Sequence, residues 1–335
     1  MIRVGIAGFG FMGRMHYQKW RMIPGARVVA VQDIAIEEVR KKLTVKGNVA
    51  GAARRVDFDR LQLFSDFDEM IADADLDAVS ITVPTFLHAD LTVRALAAGL
   101  HVLCEKPMAL TVAQCDRMIA EARQRRRILQ VAHCIRFWPE YVKAREIVKS
   151  GKYGKVLAAG FRRFASTPAW VAGNWFADER RSGGMALDLH IHDTDFIQYL
   201  FGMPKAVVST TGGNGRYIET QYLYGRDMCV SAEGGWVMAP SFGFEMSFNI
   251  ALERAAIQYD IRRKPVFCLC AAGDKPVVPR IESGDGYSRE IEHFAGLIEG
   301  KRIPLVITPM QSRESIRIVL AERKSAARGC AVHLE

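Results

Sequence analysis

The stretch Ile2-Arg3-Val4-Gly5-Ile6-Ala7-Gly8-Phe9-Gly10-Phe11-Met12-Gly13 decides how the chain begins to fold. Its first six residues form a short run of β-favouring character. A GxGxxG pattern follows at once, and Arg14 to Met22 then reads as a helix. Strand, glycine loop and helix in that order form the opening of a βαβ unit that cradles a dinucleotide. Gly8 permits the tight turn, Gly10 lets the backbone approach a pyrophosphate, and Gly13 lets the helix pack close to the sheet. Phe11 and Met12, within the loop, are expected to touch the cofactor, and the N-terminus of the helix that follows offers unpaired N–H groups to the phosphates.

Downstream, Pro24-Gly25 makes a turn and Ala26 to Gln32 forms a second strand. That strand ends on Asp33, twenty residues past Gly13. A carboxylate there takes the ribose hydroxyls and repels a 2′-phosphate, so the expected cofactor is NAD, with NADP disfavoured. The alternation continues. Strands are predicted at Leu63-Phe64, Ala78 to Val83, His101 to Cys104 and Ile128 to Ala132. Helices are predicted at Ile36 to Leu43, Phe67 to Ala72, Ala89 to Ala98 and Val112 to Arg125. Residues of about 45 to 60 read as a loop or insertion. Strand–helix alternation implies a doubly wound parallel sheet with right-handed crossovers.

The rhythm changes after about residue 135. Tyr141 to Ser150 and Gly184 to Leu200 read as helices, the second of them amphipathic. Ala206 to about Pro279 is strand-like, with glycine turns and no helices between, which implies an antiparallel sheet. Two helices close the chain near Ser288 to Ile298 and Met310 to Arg328. The fold class is therefore α/β, a Rossmann domain over 1–132 followed by an α+β domain over 133–335 with an open, mostly antiparallel sheet. The last helix is allowed to pack back on the first domain.

Composition bounds the function. The chain has 335 residues, 49% of them hydrophobic, which exceeds one ordinary core. The net charge of +9 comes from scattered residues. The dense run Arg123, Arg125, Arg126 and Arg127 reads as a solvated helix end without any nucleic-acid motif. No stretch reaches the roughly 18 apolar residues of a membrane span, so neither membrane nor nucleic acid is an expected partner. Seven cysteines occur at irregular spacing with no CxxC pair, which fits a reducing cytoplasm. Cys268 and Cys270 are expected on one face of a strand as a buried pair.

At Glu105-Lys106-Pro107 the chain resembles the glucose–fructose oxidoreductase, inositol dehydrogenase and rhizopine catabolism (Gfo/Idh/MocA) family. The same resemblance is carried by the glycine loop, by Val83-Pro84-Thr85 with His88, and by Arg136-Phe137 with Pro139. It is carried further by Gly183-Gly184 followed by Asp188, His192 and Asp193. It implies a catalytic cleft between the two domains. It also implies homodimers or homotetramers formed through the open sheets, and a large apolar sheet face would need such cover.

Hydride transfer needs a placed carbon, a base for the hydroxyl proton and a positive group at the oxygen. Lys106, just past a strand's C-terminal end, suits the last role, and the family assigns this lysine to catalysis. Asp188 and His192 are four apart, which on a helix gives them one face. Imidazole titrates near about pH 6.5, and the family's histidine here is the usual base. Asp188 would orient it or bind a substrate hydroxyl. Such a pair can also ligate zinc, but no third ligand is evident, so no metal is expected. Pro84, Thr85, His88 and Glu105 are expected to line the nicotinamide side, and Arg136 to touch cofactor or substrate. His133, Trp170, Asn174 and Trp175 are weaker substrate candidates.

The resulting expectation is an NAD-dependent dehydrogenase acting on a secondary alcohol of a sugar, cyclitol or derivative. Two alternatives stand beside it: a non-catalytic NAD- and sugar-sensing regulator, and a lyase or glycosidase assisted by transient oxidation on the same fold.

Overall fold

The computed structural model describes residues 1–41, 56–168, 175, 178–271, 273 and 275–334. The expected loop at about 45 to 60 lies largely outside them, as does the end of the helix expected over 36–43. The chain divides into two compact units. One comprises Met1–Phe137, Arg180–Ser182 and Asp285–Arg313, and the other Trp138–Glu179, Gly183–Gly284 and Glu314–Glu335. The division departs from a single boundary at 132, because a late segment belongs to the first unit.

The first unit follows the predicted alternation. Its elements run β1 (Ile2–Ala7), α1 (Phe11–Trp20), β2 (Ala26–Gln32), α2 (Ile36–Lys41), β3 (Gln62–Phe64) and α3 (Phe67–Asp73). They continue through β4 (Ala78–Ile81), α4 (His88–Ala97), β5 (His101–Glu105), α5 (Val112–Arg125) and β6 (Leu129–Ala132). The six strands are all parallel, in the order β3-β2-β1-β4-β5-β6. The order reverses at β1, so the C-terminal ends of β1 and β4 diverge there and leave the crevice in which doubly wound sheets bind ligands. Central strands are buried on both faces, which is why β4 reads as an unbroken apolar run around Ser80.

The second unit opens with α6 (Pro139–Lys149) and β7 (Val156–Phe164). After a short α7 (Glu179–Ser182), a π-helical turn at Ala186–His190 leads into α8 (Ile191–Phe201). Strands β8 (Ala206–Gly212), β9 (Tyr217–Leu223), β10 (Cys229–Gly235), β11 (Glu245–Leu252), β12 (Ala255–Asp260) and β13 (Phe267–Ala271) follow. With β14 (Val332–His333) they form an eight-stranded sheet in the order β13-β12-β11-β7-β10-β9-β8-β14. It is mixed, because β10 pairs with β7 in parallel while its other neighbours are antiparallel. On the inner face Tyr141, Phe161, Phe196, Phe248 and Tyr259 pack edge to face or tilted.

Two expectations about this sheet change. The outward face is mixed rather than broadly apolar: exposed Leu157 and Leu223 alternate with Arg162, Glu219 and Gln221. Cys268 and Cys270 do share a face, but it is the half-exposed one, and Phe267 and Leu269 occupy the core face.

The tail contributes α9 (Gly286–Ile298) and α10 (Pro309–Arg328). Helix α9 belongs to the first unit because its apolar stripe, Ile291, Phe294 and Ala295, joins the core of Ile2, Val4, Trp20 and Val28. Asp285 caps it by accepting from the Ser288 N–H and also receives the Lys19 ammonium at 2.7 Å, tying α9 to α1. No helix among the described residues is long and apolar enough to cross a membrane.

Candidate active site

In the glycine loop, each of the three glycines meets a different constraint. Gly8 has φ +81°, and a methyl group there would come within 2.9 Å of the Thr82 and Val83 backbone. Thr82 Oγ1 locks this approach by donating to the carbonyls of Ala7 and Gly8. A methyl group on Gly13 would lie 2.1 Å from the Gly8 carbonyl oxygen, so only glycine lets α1 start this close to β1. Around Gly10 there is nothing within 4 Å of such a methyl group. That open space faces the start of α1, whose N-cap is Gly10 with no side-chain cap, so its first N–H groups are available to an anion. Phe11 and Met12 flank it, half-exposed.

Asp33 stands at the end of β2 as predicted. Its carboxylate accepts from the Phe9 N–H at 2.8 Å and the Ala35 N–H at 2.9 Å, which fixes it against the loop. Ile34 beside it is 91% exposed and presents no cation to a 2′-phosphate. Loop, helix start and acid together fit a dinucleotide with an unmodified adenosine ribose.

The ends of β4 and β5 are only partly as expected. Pro84 is half-exposed, whereas Thr85 and His88 are buried. The His88 ring lies 2.8 Å from the Pro107 carbonyl through Nδ1 and 2.9 Å from that of Val83 through Nε2. Burial lowers its pKa against the pull of the two carbonyls, and the ring sits between two loops instead of facing a ligand. Glu105 is also turned inward. Its Oε1 lies 3.0 Å from His16 Nε2, and its Oε2 accepts the Lys106 N–H at 3.1 Å. The pleat explains the split, because adjacent residues at a strand end point to opposite sides. Lys106 is the one residue of 102–109 that is not buried.

Arg136 is buried as well. Its Nη1 donates to the Val306 carbonyl and to Gln311 Oε1, so it secures the returning tail of the first unit. The sequence could not show this, since the partners lie some 170 residues away. His133 is buried, and Trp175 lies half-buried in a turn. Trp170 and Asn174 fall outside the described residues.

In the second unit the predicted amphipathic helix has an unusual exposure pattern. Across 182–198 every residue is buried except Asp188 and His192. The π turn at Ala186–His190 carries Asp188, and such turns recur at functional sites because they re-aim side chains. Two sets of buried groups hold the helix. Arg163 grips Asp193 with two bonds of 2.8 Å and also donates to Tyr141 Oη. His190, Thr194, Tyr222 and Glu322 form the other set. Thr194 Oγ1 donates to Glu322 Oε1 at 3.0 Å, and His190 Nε2 is 3.4 Å from Glu322 Oε2. All four are buried.

Burial pushes Glu322 up to about 7, and burial with the nearby Arg163 charge pushes His190 down to about 3. His190 is therefore uncharged at neutral pH, and its 3.4 Å approach to Glu322 Oε2 is not an ion pair.

Sequence reasoning missed His190, Glu322, His16 and Glu290. A signal existed for Glu322, which interrupts the helical stripe formed by Ile318 and Val319.

A family model described as "Oxidoreductase family, NAD-binding Rossmann fold" matches residues 2–133, and the "GFO/IDH/MocA C-terminal domain" matches 141–255. The chain is 26% identical to the scyllo-inositol 2-dehydrogenase (NAD(+)) of Bacillus subtilis, covering 100% of this chain and 96% of that protein. It is 28% identical to the inositol 2-dehydrogenase of Salmonella typhimurium, covering 85% and 90%. Among solved structures, levoglucosan dehydrogenase in complex with NADH and levoglucosan superposes with a TM-score of 0.82. Its identity is 22%, and 99% of each chain is covered.

Proposed function

Because the chain belongs to the Gfo/Idh/MocA family of oxidoreductases, we propose that it is an NAD-dependent dehydrogenase for a secondary alcohol of a sugar, cyclitol or derivative. Bound NAD would supply the hydride acceptor. The residues of this chain do the rest. Gly8, Gly10 and Gly13 seat the pyrophosphate, and Asp33 takes the ribose hydroxyls. His192 accepts the proton of the reacting hydroxyl, while Asp188 orients the imidazole or binds a neighbouring hydroxyl. The Lys106 ammonium stabilises charge on the reacting oxygen as the carbonyl forms. The alcohol loses one hydride and one proton, and the products are a ketone, NADH and a proton held by His192.

One observation carries this reading. In two otherwise buried runs, 102–109 and 182–198, the only residues not fully buried are an ammonium and a carboxylate–imidazole pair, the groups that alcohol oxidation requires. The relatives named as inositol dehydrogenases support the substrate class. The test is NADH formation across a panel of cyclitols, aldoses and anhydro sugars. His192→Ala and Lys106→Ala are expected to lower kcat by about 10²- to 10⁴-fold each. Wild-type turnover by either variant overturns the roles. Substrate conversion with no net NADH would move the assignment to elimination assisted by transient oxidation.

The reading extends to assembly and location. A homodimer or homotetramer would use the outward face of the eight-stranded sheet, where Leu157 and Leu223 are exposed. Seven free cysteines suit the cytoplasm.

A further inference from the structure

Behind Lys106 lies a group of ionisable side chains that the reaction does not use. His16 on α1, Glu105 at the end of β5 and Glu290 on α9 are all buried, and their nearest nitrogen and oxygen atoms lie within 4.8 Å of one another. Glu290 is held there by its backbone: Gln130 Nε2 donates to its carbonyl oxygen at 3.0 Å, and His293 Nδ1 lies 2.8 Å from Gln130 Oε1. The nearby cation Lys19 pairs with Asp285. Among the described residues neither carboxyl oxygen of Glu290 has a hydrogen-bond donor within reach.

We propose that His16, Glu105 and Glu290 form a clamp with one carboxyl proton, in which neutral Glu290 backs anionic Glu105 and Glu105 fixes the backbone that presents Lys106. The distribution of donors assigns the charge. Glu105 receives His16 and the Lys106 N–H, whereas Glu290 receives nothing. Two carboxyls this close in a buried site cannot both ionise, so the one without donors keeps the proton.

The other groups facing the site agree. Asp285 and Tyr287 on α9, and Cys134 beside Tyr287, offer Glu290 no positive charge. Burial raises Glu290 well above the usual carboxyl range, and Glu105 and Asp285 raise it further. Burial would raise Glu105 too, but the His16 hydrogen bond and charge, with Lys106 behind them, hold it below its ordinary value. His88 is placed to feel the same anion.

The positioning role follows from the Glu105 Oε2 bond to the Lys106 N–H. An anion anchored on one side by His16 fixes the peptide that carries Lys106, the one residue of 102–109 that is not buried. This proposal rests on the reading of Lys106 as the group acting on the substrate oxygen, so its test has an arm that does not.

That arm is infrared spectroscopy of the wild type and Glu290→Gln at neutral pH. A carboxylic-acid carbonyl band present in the wild type is expected to disappear in the variant. An unchanged spectrum overturns the protonated Glu290. So does a stoichiometric metal ion in the purified wild type that is lost in Glu290→Gln. The kinetic arm uses Glu105→Gln in two backgrounds. It is expected to lower kcat about tenfold in the wild type, and to change it less than about twofold in Lys106→Ala, because a residue acting through another is non-additive with it. An equal loss in both backgrounds overturns positioning. Glu290→Ala is expected to lose activity that Glu290→Gln restores; equal loss in both refutes the neutral acid. If Lys106→Ala alone is silent, the Lys106 reading fails while the infrared result still stands.

Discussion

Replacing Glu322 with glutamine should change how the second unit's stability depends on pH. The glutamine carbonyl can still accept from Thr194 Oγ1, so that bond is kept. What the substitution removes is the proton equilibrium. In the unfolded chain the Glu322 carboxyl titrates at its ordinary 4.5, and in the folded protein burial holds it at about 7. Below the lower value both states keep the proton and no difference arises. Between the two values the unfolded chain releases it and the folded chain does not, so stability falls as pH rises. Above the upper value the loss is complete, roughly 3 kcal/mol in all. About 2 kcal/mol of this falls between pH 5 and pH 8, equivalent to roughly 4–8 °C in the Tm of a unit this size. The assay is the calorimetric Tm of both proteins at each pH, comparing the gap between them. The gap should shift in favour of Glu322→Gln by that amount as pH rises. Parallel curves would show that Glu322 holds no extra proton when folded, and the upward shift assigned to its burial would fall.

Two glycines separate cofactor binding from folding. Gly10→Ala places a methyl group in open space, so its Tm should match the wild type while NAD affinity, read by calorimetric titration, falls at least about tenfold. Gly13→Ala drives a methyl group against the Gly8 carbonyl and should lose NAD binding and also at least about 2 kcal/mol of first-unit stability by denaturant titration. Equal Tm losses in the two variants would contradict the loop geometry. Asp33→Ala should raise KM for NAD about tenfold and leave or lower KM for NADP, since the carboxylate that binds ribose hydroxyls also repels a phosphate. An unchanged ratio of kcat/KM for the two cofactors would remove Asp33 from the site.

How much of this could be read from the sequence follows from the range over which each feature is determined. The glycine loop, Asp33 and the six alternating strands are set by neighbours within one βαβ unit, so local pattern sufficed. The eight-stranded sheet was legible as antiparallel, but the parallel pairing of β10 with β7 was not, because it joins segments some 70 residues apart. The inward turn of Glu105 and Arg136 was hidden for the same reason, since their partners His16 and Val306 lie 89 and 170 residues away. Arg136 looked like a ligand residue until the tail placed Val306 and Gln311 against it. Strand-end position says that a residue is near the site. Only packing says which side of the backbone its side chain occupies.

That limit has a chemical consequence for the proposed active site. Spacing alone put Asp188 and His192 on one face of an ordinary helix, yet Asp188 lies in a π turn and His192 in the first turn of α8 after it, inside a buried segment. A surface helix would leave a proton-transfer pair solvated and mobile. Here Arg163 and Asp193 fix one side of that segment, and Thr194 and His190 fix the other through Tyr222 and Glu322. In the first unit Glu105 and its neighbours do the same for Lys106. A half-buried group on a rigid, buried support loses little orientational freedom when substrate arrives. Pre-set geometry of that kind supplies several kcal/mol of a hydride-transfer barrier before any charge develops. The buried ionisable residues are therefore better explained as supports for the reacting groups than as contributors to stability, which their desolvation lowers.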